Sequence, residues 1–179
     1  MDTYGKSYAR FLNESWDELE KDFRKGIVDP QQENDVVCYL YYALANKFRA
    51  KGWLLSLIKT EDTKTIRKQK VKPDLNLNDR LFIEVKMWNL RKYGKGWNSR
   101  KEWIEYYADK LENYVQDVAA HKSVHVRRPI LALWFWKNPK RRITSFEDKL
   151  IHQDLEDKLK EEQAKFKDRI SILYGPKIS

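Results

Sequence analysis

The stretch Lys72-Pro73-Asp74-Leu75-Asn76-Leu77-Asn78-Asp79-Arg80-Leu81-Phe82-Ile83-Glu84-Val85-Lys86-Met87 decides how this chain folds. Side chains of a β-strand alternate between its two faces. Leu81, Ile83, Val85 and Met87 therefore share one face, and Phe82, Glu84 and Lys86 share the other. Leu75 and Leu77 carry the odd parity of the apolar set, and Asp74 and Asn76 carry the even one. The turn determines whether the two halves agree. A two-residue turn at Asn78-Asp79 would pair Leu77 with Arg80 and set Asp74 against Ile83, which scrambles the apolar face. A three-residue turn at Asn78-Asp79-Arg80 pairs Leu77 with Leu81 and Leu75 with Ile83. Register follows the hydrophobic face, and Asn and Asp tolerate the left-handed backbone such turns require, so the three-residue turn is predicted. It sets Asp74 opposite Glu84, with Lys86 on the same face, at the end of the hairpin away from its turn.

Two carboxylates facing each other across a sheet repel unless positive charge lies between them. Lys86 supplies one such charge, in which case the three residues form a cross-strand salt-bridge ladder. A divalent cation supplies it better. Oxygen ligands suit Mg²⁺, which keeps several waters when one or two carboxylates hold it. Water on such an ion is acidified into a nucleophile, and Lys86 would orient it or neutralise charge developing on a phosphate. Glu33 is a further candidate. It precedes Val37 by four and Leu40 by seven, which puts a carboxylate on an apolar helical stripe. Its alternative role is helix-dipole stabilisation in a first turn.

Outward from this hairpin, helical and extended patterns alternate. Tyr8, Phe11, Leu12, Trp16, Leu19 and Phe23 recur at helical spacing and predict a helix over 7–25, stopped at Gly26. Asp29-Pro30 reads as an N-cap and first helical residue, with Gln32 completing a capping box, for a helix from Pro30 to Lys51. Cys38 in that helix reads as a small buried side chain. Trp53 to Ile58 fits a strand, and Thr60 to Lys72 a long loop or a hairpin arm around Thr65-Ile66. Ser99 with Glu102 caps a helix carrying Trp103, Ile104, Tyr107, Leu111 and Tyr114. His121 and His125, four apart, read as helix-end or surface residues. Pro129 to Trp136 is apolar on both faces, as an interior strand must be. Ser145 opens a charged helix through Phe166, and Ile170 to Tyr174 is a last strand. The expected fold is α/β, with a mixed central sheet flanked by helices in a single domain over 1–179. Its core spans about 30–136, with an added N-terminal helix at 7–25 and an added C-terminal helix and strand at 145–175.

Composition narrows the partners. The chain has 36 Lys+Arg against 27 Asp+Glu, a formal charge of +9, which favours a polyanion. Its single cysteine excludes an internal disulfide and a zinc cage of several thiolates. No apolar run approaches the roughly 20 residues of a membrane span, and Met1 to Arg10 has no apolar signal segment, so no membrane partner and a cytoplasmic setting are expected. Rings and cations interleave from Trp88 to Lys101, where Arg91, Lys92, Lys95, Trp97 and Arg100 suit backbone phosphates and base stacking. Lys140, Arg141 and Arg142 form a second basic cluster, and Lys70 and Lys72 lead directly into Asp74. A basic surround on an acidic centre would bring phosphates to carboxylates that would otherwise repel them.

Pro73-Asp74, nine intervening residues and Glu84-Val85-Lys86, after a helix bearing Glu33, resemble the PD-(D/E)XK nuclease superfamily. The resemblance covers the stretch from Pro30 to Trp136 and implies a restriction endonuclease-like αβββαβ core. It implies Mg²⁺, with Mn²⁺ as a substitute, held by Asp74, Glu84 and the Val85 carbonyl. Lys86 would be the catalytic lysine and Glu33 the first-helix acid. The implied activity is metal-dependent endonucleolytic hydrolysis of DNA phosphodiesters by an activated water. Cutting two strands needs two sites, so a homodimer is expected. A Holliday junction resolvase-type nuclease and a non-catalytic nucleic-acid-binding module on the same fold are the alternatives.

Overall fold

A computed structural model describes residues 3–60, 64–66, 69–71, 73–89, 97–122, 125–136, 146–167 and 169–177. The deciding hairpin consists of β4 (Leu75–Leu77) and β5 (Leu81–Asn89), paired antiparallel with Leu75 opposite Ile83 and Leu77 opposite Leu81. Its turn is the three-residue one, and Asn78 and Asp79 both take positive φ, at 53° and 56°. Asn76 braces it: its side-chain amide donates to Asp79 Oδ1 and its carbonyl oxygen accepts from Asp79 N, each at 2.8 Å. Strand β1 (Ile58–Thr60) adds antiparallel to β4.

On the other side of β5, β6 (Ile130–Trp136) pairs parallel to it, and β7 (Ser171–Gly175) pairs parallel to β6. The result is a five-stranded mixed sheet in the order β1-β4-β5-β6-β7. The last strand is thus a full member of the sheet. A separate two-stranded hairpin joins β2 (Lys64–Ile66) to β3 (Gln69–Val71), so of the two readings of Thr60 to Lys72, long loop or hairpin arm, the structure takes the second.

Helices α1 (Thr3–Arg24) and α2 (Glu33–Ala50) cover one face, and α3 (Trp97–Lys122) and α4 (Phe146–Lys165) belong to the other. Leu75, Leu77, Leu81, Ile83 and Val85 pack with Tyr8, Leu12, Trp16, Leu40, Leu44 and Phe48 in one continuous core. Each such side chain contributes about 1.5–3 kcal/mol when fully buried, which is what fixes the register. The even face is also apolar in part. Phe82 packs on Tyr114 and Val118, while Leu131, Leu133 and Phe135 pack on Ile104, Ala108, Leu111, Leu155 and Leu159. Among the described residues no helix is long and apolar enough to cross a membrane.

Four expectations are corrected. Helix α2 starts at Glu33, not Pro30, because the Asp35 carboxylate accepts from the backbone N–H of Gln31 (2.8 Å) and Gln32 (3.0 Å). A charged acceptor on the exposed donors of a first turn outweighs the Asp29-Pro30 signal. Cys38 is exposed, since it lies off the stripe of Val37, Leu40, Leu44 and Phe48 on the outer side of α2 with exposed Tyr42. Trp53 is not in a strand; its N–H bonds the Phe48 carbonyl and its ring packs edge-on to Tyr8 and Phe48, so the strand begins only at Ile58. Helix α3 begins at Trp97, ahead of the expected Ser99 cap, and ends before His125.

Candidate active site

Strand β5 runs on past β4. The pairing with β4 ends at Leu75–Ile83, so from Glu84 onward that edge of β5 has no strand partner among the described residues. Uncovered backbone N–H groups on a strand edge need acceptors. Two carboxylates supply them. Asp74 Oδ2 accepts from Val85 N at 2.6 Å, and Glu33 Oε1 accepts from Met87 N at 3.3 Å. Extending the register sets Pro73 opposite Val85. A proline has no N–H to give the Val85 carbonyl, and an extended residue presents its N–H and C=O to the same edge. The Val85 carbonyl therefore faces the Asp74 side of the strand.

Lys86 draws the acids together. Its Nζ lies 3.0 Å from Glu33 Oε2, 3.3 Å from Glu84 Oε1 and 3.9 Å from Asp74 Oδ2. Its side chain is only 12% exposed. Burial works against its charge, but Glu84, Asp74 and Glu33 outweigh that and hold the ammonium well above the usual lysine range. Burial, and then the charge of Glu84, push the Asp74 carboxyl up to about 6, against the opposing pull of the Val85 N–H and Lys86. Glu33 was expected on the buried stripe. As the first residue of α2 its side chain is 44% exposed and reaches around the edge of β5 instead.

Glu84 is the most enclosed acid of the corner, at 2% exposure. Its Oε1 is held by Lys86 and, at 2.8 Å, by Lys110 of α3. Its Oε2 is buried with no hydrogen-bond partner among the described residues. An unsatisfied buried carboxylate oxygen costs roughly 1–3 kcal/mol or more. Tyr107, one turn before Lys110, forms a wall: its ring lies 5.3 Å from Lys86 Nζ and 5.4 Å from Lys110 Nζ. Both contacts are within cation–π range.

Asp74, Glu84 and Lys86 are thus brought together as expected, with Glu33 beside them. Lys110 and Tyr107 were not anticipated. Lys110 follows Tyr107 by three and precedes Tyr114 by four, so it borders an apolar stripe. That is the same signal that singled out Glu33. Of the residues expected to contact nucleic acid, Lys72, Arg91, Lys92, Lys95, Lys140, Arg141 and Arg142 lie outside the described residues, as do the side chains of Lys70, Trp97 and Arg100.

The donor set can be tested against a divalent ion. Among the described residues no three of His, Cys, Asp and Glu come together as a ready cage. Mg²⁺ does not need one, since it is commonly held by one or two carboxylates and completed by water and substrate oxygens. The partnerless Glu84 Oε2, the Asp74 carboxyl and the Val85 carbonyl on the same edge fit that requirement. No family model matches the chain, and no curated protein or solved structure matches it at a significant level.

Proposed function

We propose that this chain is a metal-dependent endonuclease of the PD-(D/E)XK type that hydrolyses phosphodiester bonds of DNA. In this reading α2, β1, β4, β5, α3 and β6 are its restriction endonuclease-like core. The observation that carries the reading is the buried Glu84 carboxylate. One of its oxygens has no partner, in a corner that also holds Asp74, Glu33 and Lys86. Glu162 of α4 also has one buried oxygen without a partner beside its ion pair with Lys165, so what sets Glu84 apart is that Asp74, Glu33 and Lys86 converge on it.

Asp74, Glu84 and the Val85 carbonyl are the groups that would hold Mg²⁺ or Mn²⁺. The ion supplies neutralisation of phosphate charge and an acidified water. Lys86, held charged by its three acids, would orient an attacking water and stabilise charge on the phosphate. Glu33 keeps Lys86 in place through the 3.0 Å ion pair while capping Met87 N. The net charge of +9 favours the polyanionic substrate, and cutting both strands of a duplex would take two copies of the chain.

The test is conversion of supercoiled plasmid with Mg²⁺ or Mn²⁺. Wild type should nick or linearise it, chelation should stop the reaction, and Glu84→Ala and Lys86→Ala should be inactive. A four-way junction cut in preference to linear duplex would point to the resolvase-type variant. Failure of wild type on plasmid, junction and RNA alike would overturn the enzymatic reading. One observation favours a second reading, a non-catalytic nucleic-acid-binding module: Lys86 already contacts all three carboxylates. That reading requires salt-sensitive binding that is indifferent to divalent ions.

A further inference from the structure

The corner carries one more cation than the proposed chemistry uses. It sets three acids, Asp74, Glu84 and Glu33, against two lysines, Lys86 and Lys110. Its formal charge is about −1. A divalent ion would bring it to about +1, and one phosphodiester anion would return it to zero. The two lysines differ in how they are held. Lys86 lies among all three acids and is 12% exposed. Lys110 pairs with Glu84 alone among the described residues and is 28% exposed. It also comes from a different element, the helix α3 that lies over this face of the sheet. Once Glu84 serves an ion, Lys110 is the ammonium that can leave it at lower cost, and it then needs another anion nearby.

We propose that Lys110 is a phosphate-contacting residue of this site, exchanging Glu84 for a non-bridging oxygen of the nucleic-acid backbone when a divalent ion is bound. The inference rests on the nuclease reading and adds to it a residue that couples ion binding to substrate binding. The Tyr107 ring keeps the Lys110 ammonium at the corner during the exchange, 5.4 Å from its centroid, and Trp103 packs edge-on against Tyr107 at 4.5 Å. Two consequences follow, of opposite sign. Without nucleic acid, Lys110 competes with the ion for Glu84, so removing it tightens ion binding. With nucleic acid, Lys110 adds a phosphate contact, so removing it weakens substrate binding.

The experiment compares the full chain as wild type, Lys110→Met and Lys110→Arg. Mn²⁺ binding is read by calorimetry without nucleic acid, and KM and kcat are read on a duplex with Mg²⁺. Lys110→Met should bind Mn²⁺ roughly threefold to tenfold more tightly and raise KM about tenfold, with kcat changed far less. It should also lower the salt slope of duplex binding, measured in Ca²⁺, by about one phosphate contact. Lys110→Arg keeps the charge and should restore most of KM, which a loss of folding in the Met variant could not mimic. Wild type that binds Mn²⁺ and cuts, beside a Lys110→Met variant with unchanged Mn²⁺ affinity and KM, overturns this inference alone. Wild type that neither binds Mn²⁺ nor cuts removes the nuclease reading and this inference together.

Discussion

Asn76 and Glu84 lie on the same face of one hairpin, both shut away from solvent, one near each end. At the turn end Asn76 has traded hydrogen bonds with Asp79 in both directions, and the turn is locked by that exchange. At the open end Glu84 has two ammonium groups on one oxygen and no partner on the other. A buried polar group that is fully answered is there for the fold. One that is half answered costs stability, as at Glu84 and again at Glu162 of α4. The two ends thus differ in their hydrogen-bond accounting, and the proposed function assigns the half-answered end to an ion.

Substitutions can break that contrast. Glu84→Gln should lower cleavage by roughly a hundredfold or more, while its melting midpoint moves by less than about 3 °C. Plasmid cleavage and thermal unfolding run side by side check this. A large loss of stability would make Glu84 a structural residue after all. Asn76→Ala should do the reverse. It strands the Asp79 N–H and costs about 2 kcal/mol, a fall of roughly 6 °C in midpoint, with Mn²⁺ affinity unchanged.

Asp74→Asn sharpens the contrast through pH. The folded Asp74 carboxyl titrates near 6, above its ordinary 3.8, so the folded chain binds more protons than the unfolded one between those values. Its stabilising contribution is complete below the unfolded value and is lost as pH rises through 6. Melting midpoints of the metal-free protein between pH 3.5 and 7.5 should therefore include a downward step. Asp74→Asn should remove that step and be more stable than wild type at pH 7.5, by about 1 kcal/mol, because a partly buried carboxylate beside Glu84 is replaced by a neutral acceptor for Val85 N. The smallest effect is expected of Pro73→Val. An N–H at that position lets the β4–β5 ladder gain one more bond, to the Val85 carbonyl, and Mn²⁺ affinity should fall about threefold while stability rises slightly.

Much of this was legible in the sequence. The side-chain period of two leaves one register that keeps Leu75, Leu77, Leu81 and Ile83 together, so the turn length and the meeting of Asp74, Glu84 and Lys86 followed from parity. The apolar run at Ile130–Trp136 announced its interior position. Local patterns failed where a competing local bond won, as at Gln32 and Asp35, or where an element was judged by composition without its facing, as at Cys38. Lys110 was missed because only the passage of α3 over β5 brings it to Glu84, and no periodicity within α3 encodes what lies opposite. The contribution of Glu33 was half read. Its carboxylate does not lie on the apolar stripe of α2, and its target, Lys86 and the N–H of Met87, depends on how far β5 outruns β4.

The most direct measurement is anomalous diffraction from a crystal soaked in Mn²⁺. The account requires one strong peak at roughly 2.1 Å from carboxylate oxygens of Asp74 and Glu84, with Lys86 still paired to Glu33. A soaked crystal with no peak at this corner would contradict it.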